Sequence, residues 1–170
     1  MIEMKVAGIA IDAGTRSPIV LLKDSTDRRA LPIYINQDQA RAIIGALENQ
    51  KPPRPLTHDL LVNILQVWGM TLERVIIHSI QDATFYAILS VRQGEVKKEI
   101  DARPSDAIAI ALRTNTPIWV MEEVVADASI PVDRDADEAE QRAFREFIAN
   151  LRPEDLIERG NLGSGEEDNG

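Results

Sequence analysis

The chain has 170 residues, 44 % apolar and 28 % charged, which suits one globular domain with or without an appendage. It holds no cysteine and two histidines, which excludes disulfides, thiolate zinc sites, cysteine nucleophiles and histidine-rich metal sites; any metal would be a hard cation held by oxygens. The net charge of −9 is uneven: residues 133–170 hold 5 Lys+Arg against 12 Asp+Glu, a net of −7, whereas residues 1–132 hold 14 against 16, a net of −2.

The N-terminus enters a strand pattern without a basic segment and following apolar block, and no run approaches the ~20 apolar residues of a membrane span. A soluble, cytoplasmic protein with no membrane partner is expected. Strands are predicted at 4–12, at 18–23 around Ile19-Val20-Leu21-Leu22, and at 29–35, where Pro32 points to an edge strand or a bulge. Short polar turns between them imply an antiparallel meander. Asn36 is a candidate N-cap for a helix over 37–48, with Ala40, Ile43, Ile44 and Leu47 on its buried face. Pro52-Pro53-Arg54-Pro55 forbids a helix. Thr57 then caps a helix to about 68, with Leu60, Leu61, Ile64, Leu65 and Trp68 facing inward and Gly69 as its C′ stop.

Further strands are predicted at 72–80, 84–92 and 96–101, the last two forming a hairpin through Gln93-Gly94. A helix over 105–113 leads to a short strand at 118–121, a unit expected to be a right-handed crossover between parallel strands. A short helix at about 122–127 closes the domain. Beyond Pro131 an acidic linker and an amphipathic helix are expected within 131–159, with Phe144, Phe147 and Ile148 on one stripe, and then a disordered tail at 160–170. The fold class expected is α+β: one domain at 1–130 with a mixed, mainly antiparallel sheet, three main helices and a C-terminal amphipathic helix. The apolar strands at 19–22 and 118–121 exceed what three short helices can cover, so a homo-oligomer, a dimer first of all, is expected.

Three constellations could carry chemistry. In the first, Asp101, Arg103, Ser105 and Asp106 crowd the start of the 105–113 helix. They could hold a divalent cation through Asp101 and Asp106 and clamp a phosphate with Arg103. Equally, they could be a helix cap, with Ser105 as N-cap, Asp106 facing the dipole and Arg103 paired with Asp101. In the second, His58 and Asp59 could serve acid–base work, because an imidazole titrates near neutrality, or could belong to a cap on Thr57. In the third, Asp82 with Glu95-Val96-Lys97 matches the Asp…Glu-x-Lys arrangement of restriction-type nucleases, a pattern also common on exposed hairpins. No Walker loop, G-x-S-x-G or G-x-G-x-x-G occurs, and so few aromatics are present that a base-stacking surface is not expected.

Four blocks in order, Leu31-Pro-Ile-Tyr-Ile35, Pro53-Arg-Pro-Leu-Thr-His-Asp-Leu60, Ala83-Thr-Phe-Tyr-Ala87 and Asp101-Ala-Arg-Pro-Ser-Asp-Ala-Ile-Ala-Ile-Ala-Leu-Arg113, resemble the bifunctional nuclease family over about residues 4–130. The resemblance implies a nuclease acting on DNA and RNA. Hydrolysing a phosphodiester needs an activated water and neutralised charge, commonly through Mg²⁺. The residues best placed are Asp101, Asp106 and Ser105, then His58 and Asp59, with Arg103, Arg54 and Lys97 against the nucleic acid. The alternative is a non-catalytic regulatory module that keeps the fold and binds an anion or a partner.

Overall fold

A computed structural model describes residues 1–132 and, beyond them, Ala139 and Arg142. Its elements are β1 (Ile2–Ile11), β2 (Pro18–Asp24), β3 (Arg29–Tyr34), α1 (Gln37–Leu47), α2 (Thr57–Val67), β4 (Thr71–Gln81), β5 (Thr84–Gln93), β6 (Val96–Ala102), α3 (Pro104–Thr114), β7 (Ile118–Val120), α4 (Glu122–Ala128) and β8 (Ile130–Pro131). The amphipathic helix and tail expected beyond residue 132 lie outside the described residues.

The fold is α+β. The strands form one mixed sheet in the order β6-β5-β4-β7-β1-β2-β3-β8, antiparallel except where β4 meets β7. Turn chemistry builds its hairpins. Asp82 and Ala83 take left-handed φ between Gln81 and Thr84, and Gly94 does so between Gln93 and Val96, so each turn is two residues long. The 84–101 hairpin forms as expected. Pro32 pairs with Leu21 on one side; on the other, two-residue β8 reaches only Arg29 and Ala30, so Pro32's missing donor disturbs no ladder there. β6 and β7 run parallel, but β5 and β4 lie between them, so the unit joining them spans the sheet rather than linking neighbours.

α3 is the central helix. Ala107-Ile108-Ala109-Ile110-Ala111 is fully buried, touched by β4 and β5 and by α1 and α2. Alternating alanine permits this double contact, because small side chains let neighbouring elements approach on both faces. α4 touches both β4 and β3, four places apart in the strand order, so the sheet must curl around the core.

Two helix starts and two helix faces differ from the sequence reading. Arg103, not Ser105, is the N-cap of α3: Pro104 occupies N1, where its fixed φ suits the first turn, and forces Arg103 into extended backbone. Leu56, not Thr57, caps α2, because Asp59 reaches back to the Leu56 N–H at 2.9 Å. Most of the predicted inner face of α2 points outward: Leu60, Leu61, Ile64 and Trp68 are exposed, and only Val62 and Leu65 are buried. In α1 the Asn36 cap holds with Gln39 as its reciprocal partner, and Ala40 and Ile43 are buried, but Leu47 is exposed. Gly69 ends α2 at φ +64 as expected.

Candidate active site

The N-terminus of α2, the N-terminus of α3 and the end of β6 converge on one cleft of about 1360 Å³, whose far wall is α1 and the connector around Lys51. The two constellations that the sequence kept apart meet there. His58 Nε2 lies 2.9 Å from Asp106 Oδ1, across 48 residues of chain, and Arg103 Nε donates to Asp106 Oδ2 at 2.6 Å. Burial in the cleft pushes the Asp106 carboxyl upward, but hydrogen bonds from Arg103 and His58 outweigh it and hold the group below the usual carboxylate range. An ionised carboxylate can only accept, so His58 Nε2 bears a proton toward it, and in the neutral imidazole the lone pair then lies on Nδ1. Asp106 sits at N3, where the helix dipole also favours its charge.

Asp59 is engaged differently. Its Oδ1 accepts from Arg113 Nε at 2.7 Å and its Oδ2 from the Leu56 N–H. The Arg113 hydrogen bond is the main reason its carboxyl sits below the usual range, the Leu56 amide the next. Arg113 also donates from Nη1 to the carbonyls of Ala42 and Ala109, each at 2.9 Å, so one guanidinium ties α1, α2 and α3 together beneath the cleft. Asp59 is thus both a cap and the counter-ion of this tie.

Of the other predicted residues, Asp101 and Arg103 line the cleft. Ser105 is buried in the first turn of α3 and does not line it. Arg103 pairs with Asp106 rather than with Asp101, because N-cap and N3 residues lie on one side of the first turn. Arg54 is exposed on the connector and does not line the cleft. Lys97 does not line it either: it pairs with Glu73 at 3.2 Å, beside Arg92 on the same carboxylate. The Asp82…Glu95-x-Lys97 pattern is taken apart, since Asp82 and Glu95 stand beyond opposite ends of ten-residue β5, roughly 30 Å apart.

Sequence reasoning missed Arg41, Lys51 and Arg113 as cleft cations. Arg113 closes the family-like block quoted above, yet nothing in its spacing pointed to α1 or α2. Three of the cleft's acids pair with its arginines: Asp38 with Arg41, Asp59 with Arg113 and Asp106 with Arg103. The side chains of Lys51 and Asp101 line the same cleft and make no hydrogen bond or ion pair among the described residues. Among the described residues no group of three or more metal-ligating side chains could hold an ion. The donor set therefore fits only the sparse form of Mg²⁺ binding, in which one or two carboxylates act together with substrate phosphates and water.

Comparison with known proteins places this geometry in context. The model of the family described as the bifunctional nuclease domain matches residues 20–133. An uncharacterized protein of Mycobacterium tuberculosis (strain H37Rv) is 40 % identical over 162 residues, covering 91 % of this chain and 97 % of the relative. Bifunctional nuclease 1 of Oryza sativa subsp. japonica is 27 % identical over 124 residues, 71 % of this chain but 38 % of the rice protein. Bifunctional nuclease 2 of the same plant is 28 % identical over 112 residues, 64 % of this chain and 34 % of its own length. The chain thus spans little more than a third of the rice proteins it matches.

Proposed function

Because the chain belongs to the bifunctional nuclease domain family, we propose that it is a nuclease cleaving DNA and RNA phosphodiesters in the cytoplasm, with His58 as its proton acceptor. The observation that carries this reading is the His58–Asp106–Arg103 contact inside the cleft. Asp106 fixes the imidazole so that Nδ1 can take a proton from the attacking water or hydroxyl, and stabilises the imidazolium that forms. Among the described residues Arg103 is held through Nε alone, which leaves its outer guanidinium nitrogens to a phosphoryl oxygen gaining charge. Lys51 adds a second cation on the opposite wall. Asp101 and Asp106 would hold Mg²⁺, and the ion would supply further neutralisation of charge. In this reading Asp59 and Ser105 support the two helix starts, and Arg54 and Lys97 can touch only the flanks of a bound strand.

The test is cleavage of single-stranded DNA and RNA by the purified chain, in Mg²⁺ and in EDTA. Both substrates should be cut in Mg²⁺ and spared in EDTA. His58→Gln should lower kcat by roughly 10²–10⁴-fold, the usual worth of a general base, with the fold kept. Binding without cleavage under every condition would replace this reading with the anion- or partner-binding module. Undiminished cleavage by His58→Gln would remove His58 from the reaction.

A further inference from the structure

α2 wears its apolar side outward. Leu60, Ile64 and Trp68 form an i±4 ridge, 54 %, 45 % and 65 % exposed, which Leu56 continues at the N-cap. Leu61 and Val67 flank it, the latter 83 % exposed. From Leu60 to Met70 the sequence contains no charged residue. Six apolar side chains, each 38 % exposed or more, make a patch of the order of several hundred Å², the range of the ~800 Å² each partner contributes to a standard interface. Apolar patches of this size are uncommon on the free surface of monomers. In the strands from which self-association was expected, Val20, Leu22, Ile118 and Val120 are buried within the monomer, and Ile19, Leu21 and Trp119 on their other side are half-buried.

We propose that two copies of this chain pair through the outer faces of their α2 helices about a two-fold axis. A two-fold contact sets a patch against itself, so a charge near the axis would meet its like; this patch has none. Its i±4 ridge is the surface that packs into the matching groove of a second helix. Nucleic acid is a poor occupant, since the face offers no cation to a phosphate. The pairing also bears on the cleft. Leu56 and Leu61 belong both to the patch and to the cleft lining, and His58 opens the same helix, so the partner copy would stand at the cleft's rim.

Sedimentation velocity on the full chain at micromolar concentration tests this, with the variants Ile64→Glu, Ile64→Cys, Ile130→Glu and Ile130→Cys. Ile130 is the control, an equally exposed isoleucine on the far edge strand β8. The unaltered chain should sediment at twice its 18.9 kDa. Ile64→Glu should weaken association by roughly a hundredfold or more while the far-ultraviolet spectrum stays unchanged, and Ile130→Glu should not. Because the chain has no cysteine, Ile64→Cys gives an independent readout that introduces no charge: mild oxidation should join two copies, and far less so for Ile130→Cys. A monomeric unaltered chain overturns the proposal. So does a dimer that survives Ile64→Glu, or equal cross-linking from both cysteine positions.

Discussion

Asp106 has two oxygens and each has one partner, so the carboxylate orients an imidazole and a guanidinium at once. Asp59, one helix away, spends its oxygens on a helix start and on Arg113, whose side chain is 12 % exposed. In the proposed reaction the same residue type therefore serves the chemistry in one place and the scaffold in the other. Replacing Asp59 by Asn leaves a guanidinium largely out of water without its counter-charge and should cost about 2–4 kcal/mol. The pH dependence follows from the direction of the shifts. Both carboxyls are held below their ordinary range when folded, so the unfolded chain binds their protons first as the pH falls. Their contribution is fully present above the unfolded Asp value of about 3.9, and is lost as the pH falls below it through the folded values. Urea unfolding at pH 7 and at pH 3 should show a steep loss in the unaltered chain and a shallower one in Asp59→Asn. Parallel losses would mean that the Asp59–Arg113 tie contributes nothing.

Helices α2 and α3 show how far periodicity carries. In α3, Ala and Ile alternate over a segment buried on both sides, so no single stripe exists and burial is nearly complete. Ile108→Ala should leave a cavity between sheet and helix layer that neither can fill, at a cost of about 2–5 kcal/mol by denaturant unfolding. A loss below 1 kcal/mol would show that the layers collapse onto each other. In α2, Leu60 through Trp68 is apolar at every position except Asn63 and Gln66. Two apolar faces then compete for the core, and the pattern alone does not rank them. The core took the narrower pair, Val62 and Leu65, as α2 packs on α3 and β4 and is tied to α3 through Asp59 and Arg113.

At the scale of the molecule, charge is the main lever on nucleic acid. The body carries a net −2 and residues 133–170 a net −7, while the cleft's cations are largely matched by acids. Deleting residues 133–170 should leave affinity for single strands unchanged or raise it, with the gain fading as salt rises and screening shortens. Equilibrium binding at two ionic strengths measures this. Loss of binding by a deletion variant that stays folded would put the binding surface in the C-terminal segment and take it out of the cleft.

Strands β1 to β7, the Gln93-Gly94 hairpin turn, the Asn36 cap and the Gly69 stop followed from local chemistry, since each is decided by residues within a few positions of one another. The four blocks that led to the bifunctional nuclease family were equally legible, and so were the individual groups at 58–59 and 101–106. Tertiary structure decided which of those groups meet. His58 reaches Asp106, and Arg113 reaches Asp59 and Ala42, across 48 to 71 residues. It also turned Ser105 inward, sent Lys97 to Glu73 and left the α2 ridge in solvent. Distances of that kind are set by how α1, α2 and α3 stack on a curled sheet. No local pattern encodes that stacking, because burial and charge pairing are balances struck among all the elements at once.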